Sequence, residues 1–189
     1  EALRQAFEDA FWLPDVGWYA LGLDADKQPI DSLTSNVGHC LWSGIVAPDR
    51  SARLAELLTS PEMFTGWGVR TLASSMAAYN PMSYHNGSVW PHDSAIVAAG
   101  LKRSGHDDEA LLVASGILEA AERFDGRLPE LMCGFDRGVF PAPVPYPTAC
   151  SPQAWAAAAP LELLRVLLGA EPDVPGGTIT LSPRLPEGW

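Results

Sequence analysis

The chain has 189 residues, 47% of them hydrophobic and 19% charged, which is the balance of a globular domain rather than of a disordered segment. This length suits one domain that buries a sizeable core. Its formal net charge of −11 argues against nucleic acid or an anionic membrane as a partner, because both attract clustered Lys and Arg.

The first third of the chain predicts helices with one short extended segment. Apolar residues at three-and-four spacing predict a helix over 2–12. Weaker alternation over 18–23, followed by a turn, indicates a short hairpin or an irregular loop. Ser35-Asn36 opens a predicted helix over 37–45, and Pro48-Asp49 caps the next one.

The middle of the chain predicts a pair of longer helices. The first runs from about Val89 to Arg103, and Pro91 suits its first turn because the missing N–H needs no partner there. The second begins at Asp107-Asp108, where negative charge favours a helix N-terminus, and continues to Phe124. A proline-rich loop follows over 125–149.

The end of the chain predicts one more helix and a strand. Ser151 as N-cap and Pro152 at the first helical position predict a helix that reaches about Leu168. The run over 176–181 predicts a lone strand. We therefore expect a helical part over 1–170 and the beginning of a β-strand tail over 171–189.

Helix pairs joined alternately by short turns and by long polar loops favour an all-α toroid of helical hairpins. In a toroid the long loops gather at one end and form a concave site, where function is usually located. A solenoid of stacked helix pairs is the structural alternative.

Cysteine and histidine spacing predicts neither a metal site nor a cofactor. Cys40, Cys133 and Cys150 form no CxxC or Cys/His metal pattern, which indicates reduced thiols in a cytoplasmic protein. His85 and His92 lack the i, i+4 placement of a helical metal pair. No Walker or dinucleotide-binding glycine pattern occurs, and no apolar run is long enough to span a bilayer.

The segment Tyr84–Asp93 reads Tyr-His-Asn-Gly-Ser-Val-Trp-Pro-His-Asp and combines flat aromatic rings with short polar groups. Such a mixture can hold a sugar, with apolar faces under the ring and polar groups around the hydroxyls. Asp93 is a candidate for a hydrogen bond to a sugar hydroxyl or to His92. Alternatively, its charge only stabilises the helix N-terminus.

Four large aromatic residues are candidates for stacking on pyranose rings, although such side chains more often fill cores. These candidates are Trp90, Trp67, Trp42 and Tyr84. His39 lies near Trp42 in the sequence and repeats the mixture of an imidazole with an indole.

Glu130 is the candidate catalytic carboxylate. It lies in a loop among the apolar residues Leu128, Leu131 and Met132. A carboxylate in such surroundings is either paired or has a shifted pKa, and both are found at working sites. Glycoside hydrolysis needs one carboxylic acid and one carboxylate. The alternative is a surface Glu in an ion pair.

Five segments resemble bacterial amylo-α-1,6-glucosidase-like proteins, the glycogen-debranching-type members of the six-hairpin glycosidase superfamily. These segments are Gly66–Leu72, Tyr79–Pro81, Tyr84–Asp93, Arg127–Phe135 and Cys150–Ala156. The resemblance implies an (α/α)6 toroid and glycoside hydrolysis with inversion. It also implies an oligosaccharide or polysaccharide substrate with α-linked glucose, as in glycogen or maltooligosaccharides.

Carried over by position, the resemblance implies that Glu130 is the general base. It implies a substrate pocket formed by Trp90, His92, Asp93, Tyr84, His85, Asn86 and Gly87, with Arg70 and His39 as further lining residues. The family's general acid, an Asp in an Arg-Asp motif that follows an aromatic residue, has no match here. Because a full toroid is much longer than this chain, we expect residues 1–170 to be the C-terminal half of the barrel, completed by the N-terminal half of the same protein.

Three other interpretations stay open at this point. Phosphorolysis needs an anion site near Glu130, for which Arg127 and Arg137 are candidates. A non-catalytic glycan-binding module would use the aromatic loops only for stacking. A structural half-domain would dock its exposed helix faces on a partner. Related toroids also act on mannosides, glucosylated glycerate and trehalose-like substrates.

Overall fold

Helices form most of the regular secondary structure in residues 1–188, the part of the chain that the computed structural model describes. Within it, the elements in chain order are α1 (Ala2–Phe11), β1 (Trp12–Leu13), β2 (Trp18–Tyr19), α2 (Asn36–Ser43), α3 (Ser51–Leu58), α4 (Pro91–Arg103), α5 (Asp107–Arg123), α6 (Ala154–Leu168), β3 (Glu171–Asp173) and β4 (Thr178–Thr180). The all-α prediction is confirmed, since the strands form only two small antiparallel hairpins, β1 with β2 and β3 with β4.

Helix α4 is the centre of the core and packs against α2, α5 and α6. Its residues Val97, Ala98 and Leu101 are completely buried. At Gly100 the backbone of α2 comes so close that an added Cβ would lie 2.5 Å from the carbonyl oxygen of Gly38 and 2.7 Å from the nitrogen of Trp42. This close approach holds the N-terminal part of α2 beside the first turn of α4, where the polar residues of the candidate site lie.

Most predicted helices begin and end within a few residues of their predicted bounds. The predicted start of α6 is wrong, however, because Ser151 and Pro152 lie outside the helix and Gln153 is its N-cap. The side-chain oxygen of Gln153 accepts from the backbone N–H of Ala154 over 2.9 Å. The physical reason is tertiary: the backbone N–H of Cys150 and the Gln153 amide both donate to Glu130, which keeps this segment non-helical.

The predicted lone strand near the end of the chain has a partner. β4 pairs antiparallel with β3, in the register Glu171 to Thr180 and Asp173 to Thr178. Pairing satisfies backbone groups that a single strand would leave open. The last residue of the predicted tail, Trp189, lies outside the described residues.

Neither a membrane span nor a metal cluster is found among residues 1–188. No helix there is both long and apolar enough to cross a bilayer. No group of three or more His, Cys, Asp or Glu side chains in this range could hold a metal ion.

The contact between α2 and α4 gives a prediction on stability. We expect Gly100→Ala to lower the free energy of unfolding, because the new methyl group meets backbone atoms that cannot move aside cheaply. Such overpacking costs about 1–3 kcal/mol. The gain of about 1 kcal/mol that Ala gives over Gly within a helix offsets only part of it, so the expected net loss is about 1–2 kcal/mol. Urea unfolding followed by circular dichroism measures the change. Gly138→Ala is the control, since its added Cβ meets open space. A Gly100→Ala protein as stable as the parent would contradict this account of the packing.

Candidate functional site

Five of the predicted pocket residues line one cavity of about 420 Å³. They are His85, Asn86, Trp90, His92 and Asp93. The remaining walls come from the loop that leads into α2, from the segment before α4 and from the first turn of α6. Their side chains are Leu21, Thr34, Ser35, Asn36, Thr71, Leu72 and Trp155. Residues far apart in sequence therefore meet around one concave space.

A group of contacting aromatic rings, here called the aromatic wall, borders this cavity. Trp90 is only 6% exposed and is fixed by its indole N–H, which donates to Ser88 Oγ over 3.0 Å. The ring of Trp155 lies parallel to that of His92, with centroids 4.0 Å apart, and is 47% exposed. Trp155 therefore offers an open aromatic face to a ligand, while Trp90 backs the wall. The members are Tyr84, His85, Trp90, His92, Tyr146 and Trp155.

Glu130 lies directly behind the aromatic wall and is only 6% exposed. Its Oε1 accepts from the hydroxyl of Tyr84 over 2.7 Å and from Nε2 of Gln153 over 3.2 Å. Its Oε2 accepts from the backbone N–H of Cys150 over 3.3 Å. The hydrogen bond from Tyr84 is the main cause that lowers the pKa of Glu130, against the opposing effect of burial, with smaller contributions from Cys150 and Gln153. The carboxylate is thus held in its ionised form.

Tyr84 links Glu130 to the cavity. Its ring meets the ring of His85 edge-on, with centroids 4.7 Å apart, while its hydroxyl donates to Glu130. The hydrogen bond to Glu130 raises the pKa of Tyr84 to about 12, so the phenol keeps its proton at neutral pH. The hydroxyl of Tyr84 therefore contacts the carboxylate, while its ring contacts the other rings of the aromatic wall.

A second buried carboxylate, Asp93, lies in the first turn of α4. One of its oxygens is 2.6 Å from Nε2 of His39, while Oδ2 has no hydrogen-bond partner among residues 1–188. Burial lowers the pKa of the neighbouring His92, which makes its imidazole neutral near pH 7, and its Nδ1 is likewise unpartnered within the described chain. A buried polar atom without a hydrogen-bond partner costs folding free energy. Asp93 Oδ2 and His92 Nδ1 can therefore gain by hydrogen-bonding to a ligand at this end of the cavity.

Seven of the sequence-predicted residues are not among those that line the cavity. Tyr84 and Glu130 are hydrogen-bonded to each other beside it, and His39 contacts the lining residue Asp93. The remaining four have other roles. Arg70 is 1% exposed and donates to the carbonyl oxygens of Pro61, Glu62 and Gly134 and to Asp136, so the guanidinium holds loops together. Trp67 is 2% exposed in the core, and Trp42 borders a different cleft with Lys102 and Arg103. Gly87 has φ +135, and an added Cβ there would lie 2.6 Å from the ring of Tyr79.

Several residues of the site were not identified from the sequence, and two of them contact its central side chains. Trp155 and Gln153 both belong to the start of α6, and their contacts with His92 and Glu130 join segments far apart in the chain. The resemblance of Cys150–Ala156 to a known family was the one available signal.

The cavity carries negative and neutral groups. Among its lining residues, all of which are described, Asp93 has a formal charge at neutral pH and no Lys or Arg occurs. Arg137, a candidate for an anion site, instead lies over the ring of Trp67 and pairs with Glu119. The lining thus suits an uncharged ligand with many hydroxyl groups.

One family model matches the chain. The model of the mannosylglycerate hydrolase MGH1-like glycoside hydrolase domain covers residues 1–133, which include Glu130 and the whole segment Tyr84–Asp93. No sequence among curated proteins matches the chain.

Solved structures with helical glycosidase folds resemble this one. The GH63 mannosylglycerate hydrolase from Thermus thermophilus, in complex with Tris, is 20% identical, with a TM-score of 0.62 over 82% of this chain and 34% of the other. Neutral trehalase from Saccharomyces cerevisiae is 14% identical, with a TM-score of 0.63 over 87% of this chain and 29% of the other. The likeness agrees with a partial (α/α) toroid. The chain spans about a third of the length of the mannosylglycerate hydrolase.

The contacts of Glu130 give a prediction on its pKa. We expect Tyr84→Phe to raise it, because the lost hydroxyl was the main donor that stabilised the ionised form. A carbon-13 NMR titration of the Glu130 carboxyl, assigned with Glu130→Gln, measures the midpoint. Tyr146→Phe is the control, since it removes the hydroxyl from a ring in edge contact with Tyr84 and leaves the Tyr84 hydroxyl in place. An unchanged midpoint in Tyr84→Phe would contradict the assigned hydrogen bond.

Proposed function

Because the chain belongs to the mannosylglycerate hydrolase MGH1-like glycoside hydrolase family, we propose that it supplies the general base and one wall of the substrate pocket of an inverting α-glucosidase. The observation that carries the proposal is the buried, triply hydrogen-bonded carboxylate of Glu130 directly behind a wall of aromatic rings.

Glu130 acts as the base in this proposal. A carboxylate has about four acceptor positions, and the three donors from residues 1–188 leave capacity on Oε2. A water bound there attacks the anomeric carbon while its proton passes to Glu130, and the glycosidic bond breaks. An Asp outside this chain protonates the departing oxygen. Inversion requires the two carboxyl groups to be about 6.5–9.5 Å apart so that the water fits between them.

The cavity holds the sugar ring in place for this attack. The half-exposed face of Trp155 stacks on the pyranose, and the free Oδ2 of Asp93 accepts from a hydroxyl group. Asn86, which also lines the cavity, supplies a further polar contact. A ring held in this way reaches a near-attack geometry, which accounts for part of the rate enhancement of enzymes.

The proposed substrate is an α-linked glucoside of the glycogen or maltooligosaccharide type. The resemblance to amylo-α-1,6-glucosidase-like proteins supports it, as does a lining without Lys or Arg, since a glucan is uncharged. A mannosylglycerate-like glycoside is the second candidate, favoured by the family model. Its carboxylate would need a cationic partner from outside the lining seen here. We further propose a cytoplasmic enzyme whose remaining pocket residues come from the N-terminal half of the same protein.

The assignment of Glu130 is tested with the native protein and a panel of maltooligosaccharides, isomaltose, trehalose and mannosylglycerate. We expect Glu130→Gln to lower kcat by about a thousandfold while substrate binding changes little, because the amide keeps the size of the carboxylate and loses its basicity. Glu122→Gln, on the exposed side of α5, is the matched control and should retain full turnover. Wild-type turnover in Glu130→Gln would exclude this base.

Inversion gives a separate prediction. The first product released from an α-glucoside should be the β-anomer, because water attacks from the face opposite the leaving group. Proton NMR during the first minutes of hydrolysis, before mutarotation equilibrates the anomers, shows which form appears. The α-anomer as first product would indicate a covalent intermediate and would make Glu130 something other than the base of a single displacement.

A further inference from the structure

The side chain of Gln153 contacts Glu130 and the start of α6 at the same time. Its Nε2 donates to Glu130 Oε1 over 3.2 Å, and its Oε1 accepts from the backbone N–H of Ala154 over 2.9 Å. Both atoms belong to one planar amide, so the helix N-terminus determines where the donor points. The same turn of α6 carries Trp155, an exposed ring of the aromatic wall.

We propose that Gln153 is a positioning residue, which together with Tyr84 fixes Oε1 of Glu130 so that Oε2 faces the attacking water. This proposal rests on the proposed hydrolysis. Oε1 accepts two side-chain donors, whereas Oε2 accepts the single backbone donor of Cys150 among residues 1–188. Because two donors hold Oε1, the carboxylate of Glu130 cannot rotate freely about its terminal torsion. The remaining lone pair of Oε2 therefore points in a defined direction.

A purely structural role for Gln153 is the competing explanation. As the N-cap of α6, the side chain needs only its oxygen acceptor. Gln153→Glu separates the two roles, because a carboxylate of the same size still accepts from the Ala154 N–H but offers no amide donor to Glu130. A structural role predicts little change in this variant, whereas the positioning role predicts a large one.

We expect Gln153→Glu in the native protein to lower kcat about a hundredfold, with a smaller change in KM, the cost of a slightly misplaced catalytic group. The acid limb of the kcat/KM profile should move to higher pH. The ionised form of Glu130 loses a donor and gains a neighbouring carboxylate, and both changes raise its pKa. The two carboxyl groups then titrate as a coupled pair, which broadens the limb.

The matched control is Gln5→Glu on α1. The amide of Gln5 also donates to a carboxylate, that of Asp9, over 2.8 Å, but both residues are exposed and outside the cavity lining. The chemical change is identical, so kcat and the acid limb should stay at the wild-type values. A second variant, Gln153→Met, removes the donor without adding charge and should shift the acid limb in the same direction by less.

Carbon-13 titration of the Glu130 carboxyl keeps the test independent of turnover. If wild-type protein hydrolyses no sugar in the panel, the proposed function fails, but the midpoint of Glu130 still reports on Gln153. A higher midpoint in both Gln153 variants supports the anchoring contact. Wild-type kcat and acid limb in Gln153→Glu, or a Glu130 midpoint that neither variant moves, would overturn the proposal and leave Gln153 as a helix cap only.

Discussion

Glu130 is an ionised side chain largely removed from water, and such a group is stable only where hydrogen-bond donors replace most of the lost solvent. The donors come from the segment before α4, through Tyr84, and from the segment before α6, through Cys150 and Gln153. Since α4 and α6 pack against each other in the core, the orientation of the carboxylate depends on helix packing as well as on its own loop. The need of Glu130 for these donors thus brings the segments before α4 and α6 together at the site.

A second buried ion stabilises the same region. The guanidinium of Arg70 donates to carbonyl oxygens of two separate segments, including that of Gly134, which follows Glu130 closely in sequence. In the same region, Val89 and Met132 exchange a pair of backbone hydrogen bonds of 2.9 Å each. The loop that carries the proposed base is thus fixed at several points before any substrate binds. Such preorganisation is what electrostatic stabilisation of a transition state requires.

The sequence predicted those features of the fold that depend on local chemistry. Pro91 at the first turn of α4 and the acidic start of α5 follow from helix-end preferences, and both are confirmed. The start of α6 could not be predicted in the same way, because Ser151 and Pro152 match a local helix start whereas the segment is shaped by its donation to Glu130. Similarly, a motif identifies which loops meet but not where each side chain points. Arg70 lies in a segment that resembles the family, yet its guanidinium hydrogen-bonds to neighbouring loops and does not line the cavity.

The charges around the cavity bear on the kind of glycoside that fits. In the proposed hydrolysis positive charge develops on the sugar ring, and the proposal gives two carboxylates near the pocket, Glu130 and Asp93, the role of stabilising it. His92 beside them is neutral, because burial lowers its pKa, so it does not cancel their field. The same field opposes an anionic group on the substrate, and no Lys or Arg among the lining residues offsets it. A neutral glucan meets no such opposition, whereas a glycerate carboxylate needs cationic partners that this lining does not contain.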